Sequence, residues 1–144
     1  NIVEHRKTKK IETTFELVDI IKESVPMKYQ REHHPARKTF QAIRIEVNNE
    51  LEVFKIALKK SLNLIKKNGR ICVITFHSLE DKICKDIFNE VTKNPEGFKD
   101  MPIIPDNLKP KFKKVKTILP NEEEISFNNR ARSAKLRILE KVED

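Results

Sequence analysis

The sequence predicts an α/β fold, in which one buried strand lies between two amphipathic helices. Residues 70–76 read "RICVITF", a nearly continuous apolar and β-branched run that is typical of a buried strand. Residues 48–68 before it and 79–92 after it carry apolar side chains at helical spacing. This order favours a sheet with a parallel component. One strand cannot form a sheet, so we expect its partners in two later strands or in protein outside these 144 residues.

The first third of the chain is predicted to be helical. "NIVEHRKTKK" is typical of the end of a basic helix, and residues 14–25 form an apolar stripe that Thr13 or Thr14 can cap. Residues 27–39 are polar and basic, and Pro35 disfavours helix before it, so we expect a loop there. A short helix is expected over residues 40–48.

The remaining elements follow from turn signals and alternation. Asn68-Gly69 is expected to end the long helix before the first strand. The proline-containing segment 94–110 predicts a loop with little regular structure. Alternating apolar and polar residues predict strands over about 112–119 and 134–142, with a short helical turn between them.

Composition limits the classes of function. The chain has 30 Lys and Arg against 22 Asp and Glu, a net charge of +8. This excess favours a polyanionic partner, although a solvated lysine-rich surface explains it equally well. The two glycines, Gly69 and Gly97, are too few for a complete glycine-dependent phosphate-binding fold.

The cysteines and the hydropathy pattern indicate a cytoplasmic protein. Cys72 and Cys84 fit no metal-binding spacing, and we expect both to be buried free thiols in a reducing compartment. No apolar stretch approaches the roughly 20 residues of a membrane span. We therefore expect a soluble, cytoplasmic chain without a metal site.

His77 and Ser78 follow the buried strand directly. In open α/β sheets, ligands bind where the chain leaves the carboxyl ends of the strands. Ser78 can also cap the next helix, with Glu80 and Asp81 close to the positive end of its dipole. Capping explains His77 less well, so His77 is the stronger candidate for ligand contact, although it could simply bond a neighbouring carbonyl.

A second group of candidate residues lies in "HHPARKTFQAIRIEVN". Arg37, Lys38 and Arg44 supply hydrogen-bond donors that fit phosphate. His33 and His34 make a poor metal pair, because adjacent side chains point apart. A solvated basic loop is the alternative interpretation.

A third group lies in "NNRARSAKLRI". Arg130 and Arg132 precede the last strand, where guanidinium groups fit bidentate phosphate binding. Alternatively, one arginine pairs with a carboxylate of residues 122–124 and holds the loop. The chain has no Ser-His-Asp order, paired-carboxylate signature or P-loop.

Three segments carry a family resemblance. "HPARKTFQAIRIEVNNEL", "GRICVITFHSLEDKI" and "NNRARSAKLRILEK" resemble, in order and spacing, three signatures of the ribosomal RNA small-subunit methyltransferase H family, also called MraW. The resemblance covers essentially the whole chain. It implies methyl transfer from S-adenosylmethionine to the N4 amine of a cytidine in the decoding region of small-subunit (16S) ribosomal RNA.

The resemblance also implies an architecture. The family has a Rossmann-like methyltransferase domain with an inserted helical substrate-recognition domain. Residues 1–47 resemble the latter part of the insert, and residues 48–144 the C-terminal part of the catalytic domain. The family's glycine-rich cofactor signature is absent from these residues. We therefore expect a C-terminal fragment of the enzyme that contributes no cofactor-binding residue.

Site residues follow from the matched segments. The resemblance places Asn48, His77 and Ser78 at the reaction cleft, with His77 expected to contact the reacting amine. The residues expected to hold the RNA backbone are Arg37, Lys38, Arg44, Arg130 and Arg132. The expected partner is small-subunit ribosomal RNA or the small ribosomal subunit. The exposed edge of strand 70–76 also invites pairing with a second copy. A non-catalytic basic RNA-binding module is the alternative.

Overall fold

The computed structural model describes residues 1–95, 104–105 and 108–143. The chain divides into two compact units, residues 1–50 and 51–144. Most of the predicted loop 94–110 lies outside the described residues. None of the helices that the structure describes is both long enough and apolar enough to cross a membrane.

The first unit is helical. Its helices are α1 (Ile2–Thr8), α2 (Thr14–Glu23), α3 (Met27–Glu32) and α4 (Arg37–Asn48). α2 begins with a capping box, in which the Thr13 side chain accepts from the Glu16 N–H and the Glu16 side chain accepts from the Thr13 N–H. The predicted helix at 14–25 and the basic helix before it are confirmed.

Two predictions for this unit are wrong. The expected loop at 27–39 contains α3, which ends at Glu32, before the residue that Pro35 restricts. α4 begins at Arg37, three residues earlier than expected. In both cases Pro35 limits the conformation of its immediate neighbour and leaves more distant residues free to form helix.

The second unit alternates helices and strands. Its elements are α5 (Glu50–Ser61), β1 (Arg70–Thr75), α6 (Ser78–Thr92), β2 (Phe112–Ile118), α7 (Glu122–Phe127), a 3-10 helix (Asn129–Ser133) and β3 (Lys135–Lys141). The helix predicted to reach residue 68 ends at Ser61, whose hydroxyl donates to the Leu58 carbonyl at 2.7 Å. Side-chain bonds of this kind compete with continuation of the helix.

The sheet has the order β1-β3-β2, and both of its ladders are antiparallel. Arg70 pairs with Glu140, and Thr75 pairs with Lys135. The expected parallel component is therefore wrong for the described part of the chain. The expectation that later strands pair with β1 is confirmed, because β3 lies directly against it.

One face of the sheet is buried. Val73 and Thr75 of β1 are buried, whereas Cys72 and Ile74 are exposed, so β1 is not covered on both faces as predicted. The core consists of Leu58, Val73, Cys84, Ile87, Phe88 and Leu139. Burying each large apolar side chain stabilises the fold by about 2 kcal/mol. Cys84 is buried as expected, but the prediction of a buried Cys72 is wrong.

Candidate functional site

His77 caps α6. Its backbone is extended (φ −142°, ψ 166°), and its Nδ1 accepts from the Glu80 backbone N–H over a long 3.5 Å. In return, Glu80 Oε2 accepts from the N–H groups of Phe76 at 2.8 Å and His77 at 3.3 Å. The prediction that Ser78 caps the helix is wrong. Ser78 is the first helical residue, and its side chain is exposed.

This cap determines the proton position on the neutral imidazole of His77. Because Nδ1 accepts, the ring proton of the neutral form lies on Nε2. Nε2 lies 3.2 Å from Glu80 Oε1, but the two groups are not aligned for a hydrogen bond. Nε2 is therefore buried without a hydrogen-bond partner. The His77 side chain is 15% exposed. In this tautomer Nε2 can donate a hydrogen bond but cannot accept one.

The end of β1 also holds a buried hydroxyl that sequence reasoning missed. Thr75 is 1% exposed, and its Oγ1 has no hydrogen-bond partner. Among the side chains that the structure describes, Thr75 Oγ1 and His77 Nε2 are the buried polar atoms that lack partners. Such atoms are rare in folded proteins. A threonine at the end of an apolar run was the available sequence signal.

The two arginines of the third predicted group lie at the same end of the sheet. β3 begins at Lys135, which pairs with Thr75, so the 3-10 helix before β3 approaches the end of β1. Ala131 is buried, and the neighbouring Arg130 and Arg132 are exposed on either side of it. The structure thus brings two of the predicted groups to one end of the sheet in the second unit.

An ion pair that sequence reasoning missed supports this end. Arg137 Nε donates to Asp81 Oδ1 at 2.6 Å, and Nη2 donates to Oδ2 at 3.2 Å. Arg137 Nη1 also donates to Thr117 Oγ1 at 3.0 Å, and Lys135 Nζ lies 3.4 Å from Asp81. The hydrogen bonds from Arg137 are the main cause that lowers the pKa of Asp81. Arg137 therefore joins α6 to β2 and β3.

In the first unit, Arg37 and Lys38 form an exposed pair at the start of α4. The N-cap residue Ala36 is buried and supplies no side-chain hydrogen bond, and the first turn has no acidic residue. Cations at a helix N-terminus oppose the helix dipole, whereas an anion there is favoured by both the dipole and the cations. The geometry fits the predicted phosphate contact.

Arg44 and Asn48 lie at the other end of α4 and share one carboxylate. Arg44 Nε and Nη2 donate to the two oxygens of Glu50 at 2.8 and 3.0 Å, and Asn48 Nδ2 donates to Oε1 at 3.1 Å. Arg44 is 58% exposed, and pairs at such exposure contribute at most about 1 kcal/mol. The guanidinium of Arg44 is thus partly accessible to solvent while it is paired with Glu50.

The described residues contain no evident metal-binding site. Within the described ranges, no group of three or more His, Cys, Asp or Glu residues could hold a metal ion. The donors that the structure does present are cationic and hydroxyl groups, which bind anions and polar bases. In a comparison with known families, a model of the MraW methylase family matches residues 1–142.

Proposed function

The chain belongs to the MraW methylase family, and we propose that it serves methyl transfer from S-adenosylmethionine to the N4 amine of a cytidine in the decoding region of small-subunit ribosomal RNA. The observation that supports this most is the match over residues 1–142, which includes all three groups of candidate site residues. Family membership supports methyltransferase activity. The base, its position and the RNA substrate belong to the proposal.

The exposed cations supply the RNA-binding part of the proposal. Arg37, Lys38, Arg130 and Arg132 contact backbone phosphates, which position the RNA without reading its sequence. An exocyclic amine becomes accessible only when its base leaves the stack. Arg44 joins them when Glu50 releases it.

The turn after β1 supplies a contact to the base. We assign Ser78, whose side chain is exposed, to direct contact with the flipped cytosine, and the role of Asn48 at the reaction site stays a prediction. His77 acts as a positioning residue, because its Nδ1 is used to hold the turn that presents Ser78. Correct orientation of the amine toward the methyl donor lowers the barrier to transfer.

The described residues do not fit S-adenosylmethionine by themselves. Gly69 is required by the turn before β1, because a Cβ there would lie 2.8 Å from the Lys66 carbonyl oxygen. Gly97 lies outside the described residues, so the structure shows no glycine-rich cradle. We propose that the cofactor is bound mainly by protein outside these 144 residues. The chain would then be the C-terminal part of a Rossmann-like enzyme, with residues 1–47 completing its helical insert.

Cofactor titration and methyl incorporation test this proposal. S-adenosylmethionine is titrated calorimetrically against the 144-residue chain and against a chain extended upstream, and labelled methyl transfer to unmodified small-subunit ribosomal RNA is measured for both. We expect cofactor binding and N4-methylcytidine only with the extended chain. If the extended chain binds RNA but neither binds the cofactor nor methylates, the protein is a non-catalytic RNA-binding module.

A further inference from the structure

The end of the sheet opposite the candidate site is strongly basic. There β1 and β2 begin and β3 ends, since Lys141 N donates to Gly69 O at 2.9 Å and Val142 N donates to Lys111 O at 2.8 Å. We define the basic end as Lys66, Arg70, Lys113, Lys114 and Lys116, all exposed. Arg70 lies about 16 Å from Thr75, at 3.3 Å per residue along β1, and the other residues of the set extend from there along β2.

The acidic groups nearby do not neutralise this surface. Glu140 is 8% exposed and pairs with both Arg70 Nε and Lys113 Nζ, each at 2.7 Å. One carboxylate thus holds two cations, whose own side chains remain 59% and 58% exposed. Glu143 is paired with Lys67 at 3.2 Å. Within the described residues of these segments, positive charge remains in excess.

A β-bulge places a further lysine on the same face. Lys113 pairs with Glu140 and Lys116 with Ile138, and the register shifts between Lys114 and Lys116. Glu140 and Ile138 are two residues apart in β3, so they share a face, and so do Lys113 and Lys116. Without the extra residue, Lys116 would face the other side of the sheet. The bulge therefore extends the cationic row that Arg70 and Lys113 begin.

The chemistry of this row favours a phosphate backbone over a membrane. Lysines act as point charges on phosphate and carry little base specificity, which fits the positioning of a long polyanion. Peripheral membrane binding needs a broad apolar face beside the cations. β2 is an edge strand that exposes every residue except Phe112, and Val115 is the exposed apolar residue among Lys113, Lys114, Lys116 and Thr117. The exposed apolar residues Ile74 and Ile118 both pair with Leu136, so they lie toward the candidate-site end of the sheet and not at the basic end.

We propose that the basic end binds the sugar-phosphate backbone of the substrate RNA, as a second contact remote from the reacting base. This inference rests on the proposed function, because it takes RNA as the substrate. The contact anchors RNA that flanks the target and contributes affinity without sequence readout. It predicts that removing these charges weakens RNA binding and reduces its dependence on salt.

A matched pair of double variants tests the contact. Lys66→Gln with Lys116→Gln removes two exposed cations of the basic end, and Lys82→Gln with Lys85→Gln removes two exposed cations of α6. Binding of a short fluorescein-labelled single-stranded RNA is followed by anisotropy over a range of salt concentrations. We expect the first variant to reduce the log-log salt slope by about 1.4 and the second to leave it unchanged. Equal thermal unfolding of all three proteins checks folding.

The outcomes separate this inference from the proposed function. Unchanged slopes in the basic-end variant, or an equal change in the α6 variant, overturn the second contact while leaving methyl transfer by the extended enzyme intact. Failure of the unmodified chain to bind RNA overturns the inference, whereas methyl transfer by the extended enzyme decides the function separately. Binding to phosphatidylcholine–phosphatidylserine vesicles through Lys66 and Lys116, without RNA binding, identifies the surface as a membrane contact instead.

Discussion

At the residue scale, the two nitrogens of His77 differ in their surroundings. Nδ1 accepts from the backbone of its own helix, and Nε2 is buried beside Glu80. Asparagine is a strong N-cap residue and alanine a poor one. Substitution of His77 by asparagine or alanine can therefore separate its capping function from the chemistry of its imidazole.

We expect His77→Ala to lower the free energy of unfolding by about 1 kcal/mol and to abolish most methyl transfer in the extended enzyme, with cofactor affinity kept. His77→Asn should restore stability and most of the transfer, because it restores the cap. Chemical denaturation and methyl incorporation measure the two effects. A stable but inactive His77→Asn enzyme would show that the imidazole itself takes part. Normal turnover of His77→Ala would remove His77 from the mechanism.

Asp81 shows how a buried ion pair responds to pH. Its pKa lies below the ordinary value of 3.8, because Arg137 stabilises the carboxylate. A group whose pKa is lowered by folding contributes stability above its unfolded pKa, and loses that contribution as pH falls through the folded value. The pair should therefore stabilise the fold at neutral pH and cease to do so in acid.

We expect Asp81→Asn to destabilise the second unit by about 3 kcal/mol at neutral pH, since Arg137 loses its buried partner. The difference from the unmodified protein should shrink as the pH drops below 3.8. Urea denaturation at several pH values measures it. Asp86→Asn, an exposed carboxylate of the same helix, is the control and should change little. A pH-independent loss would contradict the ionic explanation.

At the element scale, the start of α4 is the clearest anion-binding geometry in the first unit. The positive end of the helix dipole and two exposed cations lie together there, and Ala36 provides no side-chain cap. Arg37 and Lys38 therefore act together with the backbone of the helix. A phosphate bound there would stabilise the helix as well as the complex.

We expect Arg37→Ala or Lys38→Ala in the extended enzyme to weaken RNA binding and to reduce the salt slope by about one unit. Anisotropy titrations at several salt concentrations measure the slope. Lys28→Ala removes the same charge from the exposed surface of α3 and should leave the slope unaltered. An unaltered slope for Arg37→Ala and Lys38→Ala would reject the phosphate assignment.

At the scale of the whole molecule, β3 organises the second unit. The last strand lies between the other two and is buried at Leu139 and Glu140. α6 packs on one face of the sheet, where Cys84 joins the core, while Cys72 is exposed. The reactivity of Cys84 relative to that of Cys72 therefore shows whether α6 is packed on the sheet.

We expect alkylation by iodoacetamide to label Cys72 rapidly and Cys84 only on unfolding. Burial raises the pKa of Cys84 to about 11 and excludes the reagent, and only the thiolate is reactive. Mass spectrometry of Cys72→Ser and Cys84→Ser variants follows each thiol alone. Equal labelling rates in the native protein would contradict the packing of α6.

Local sequence signals determined the helices at 14–23 and 78–92, the strand at 70–75 and the two late strands, because periodicity and turn residues act over a few neighbours. The tertiary structure decided the antiparallel order and the ion pair of Asp81 with Arg137. Asp81 and Arg137 are 56 residues apart, and their contact depends on which strands pair. Strand pairing follows from packing of the whole unit, which no local window contains.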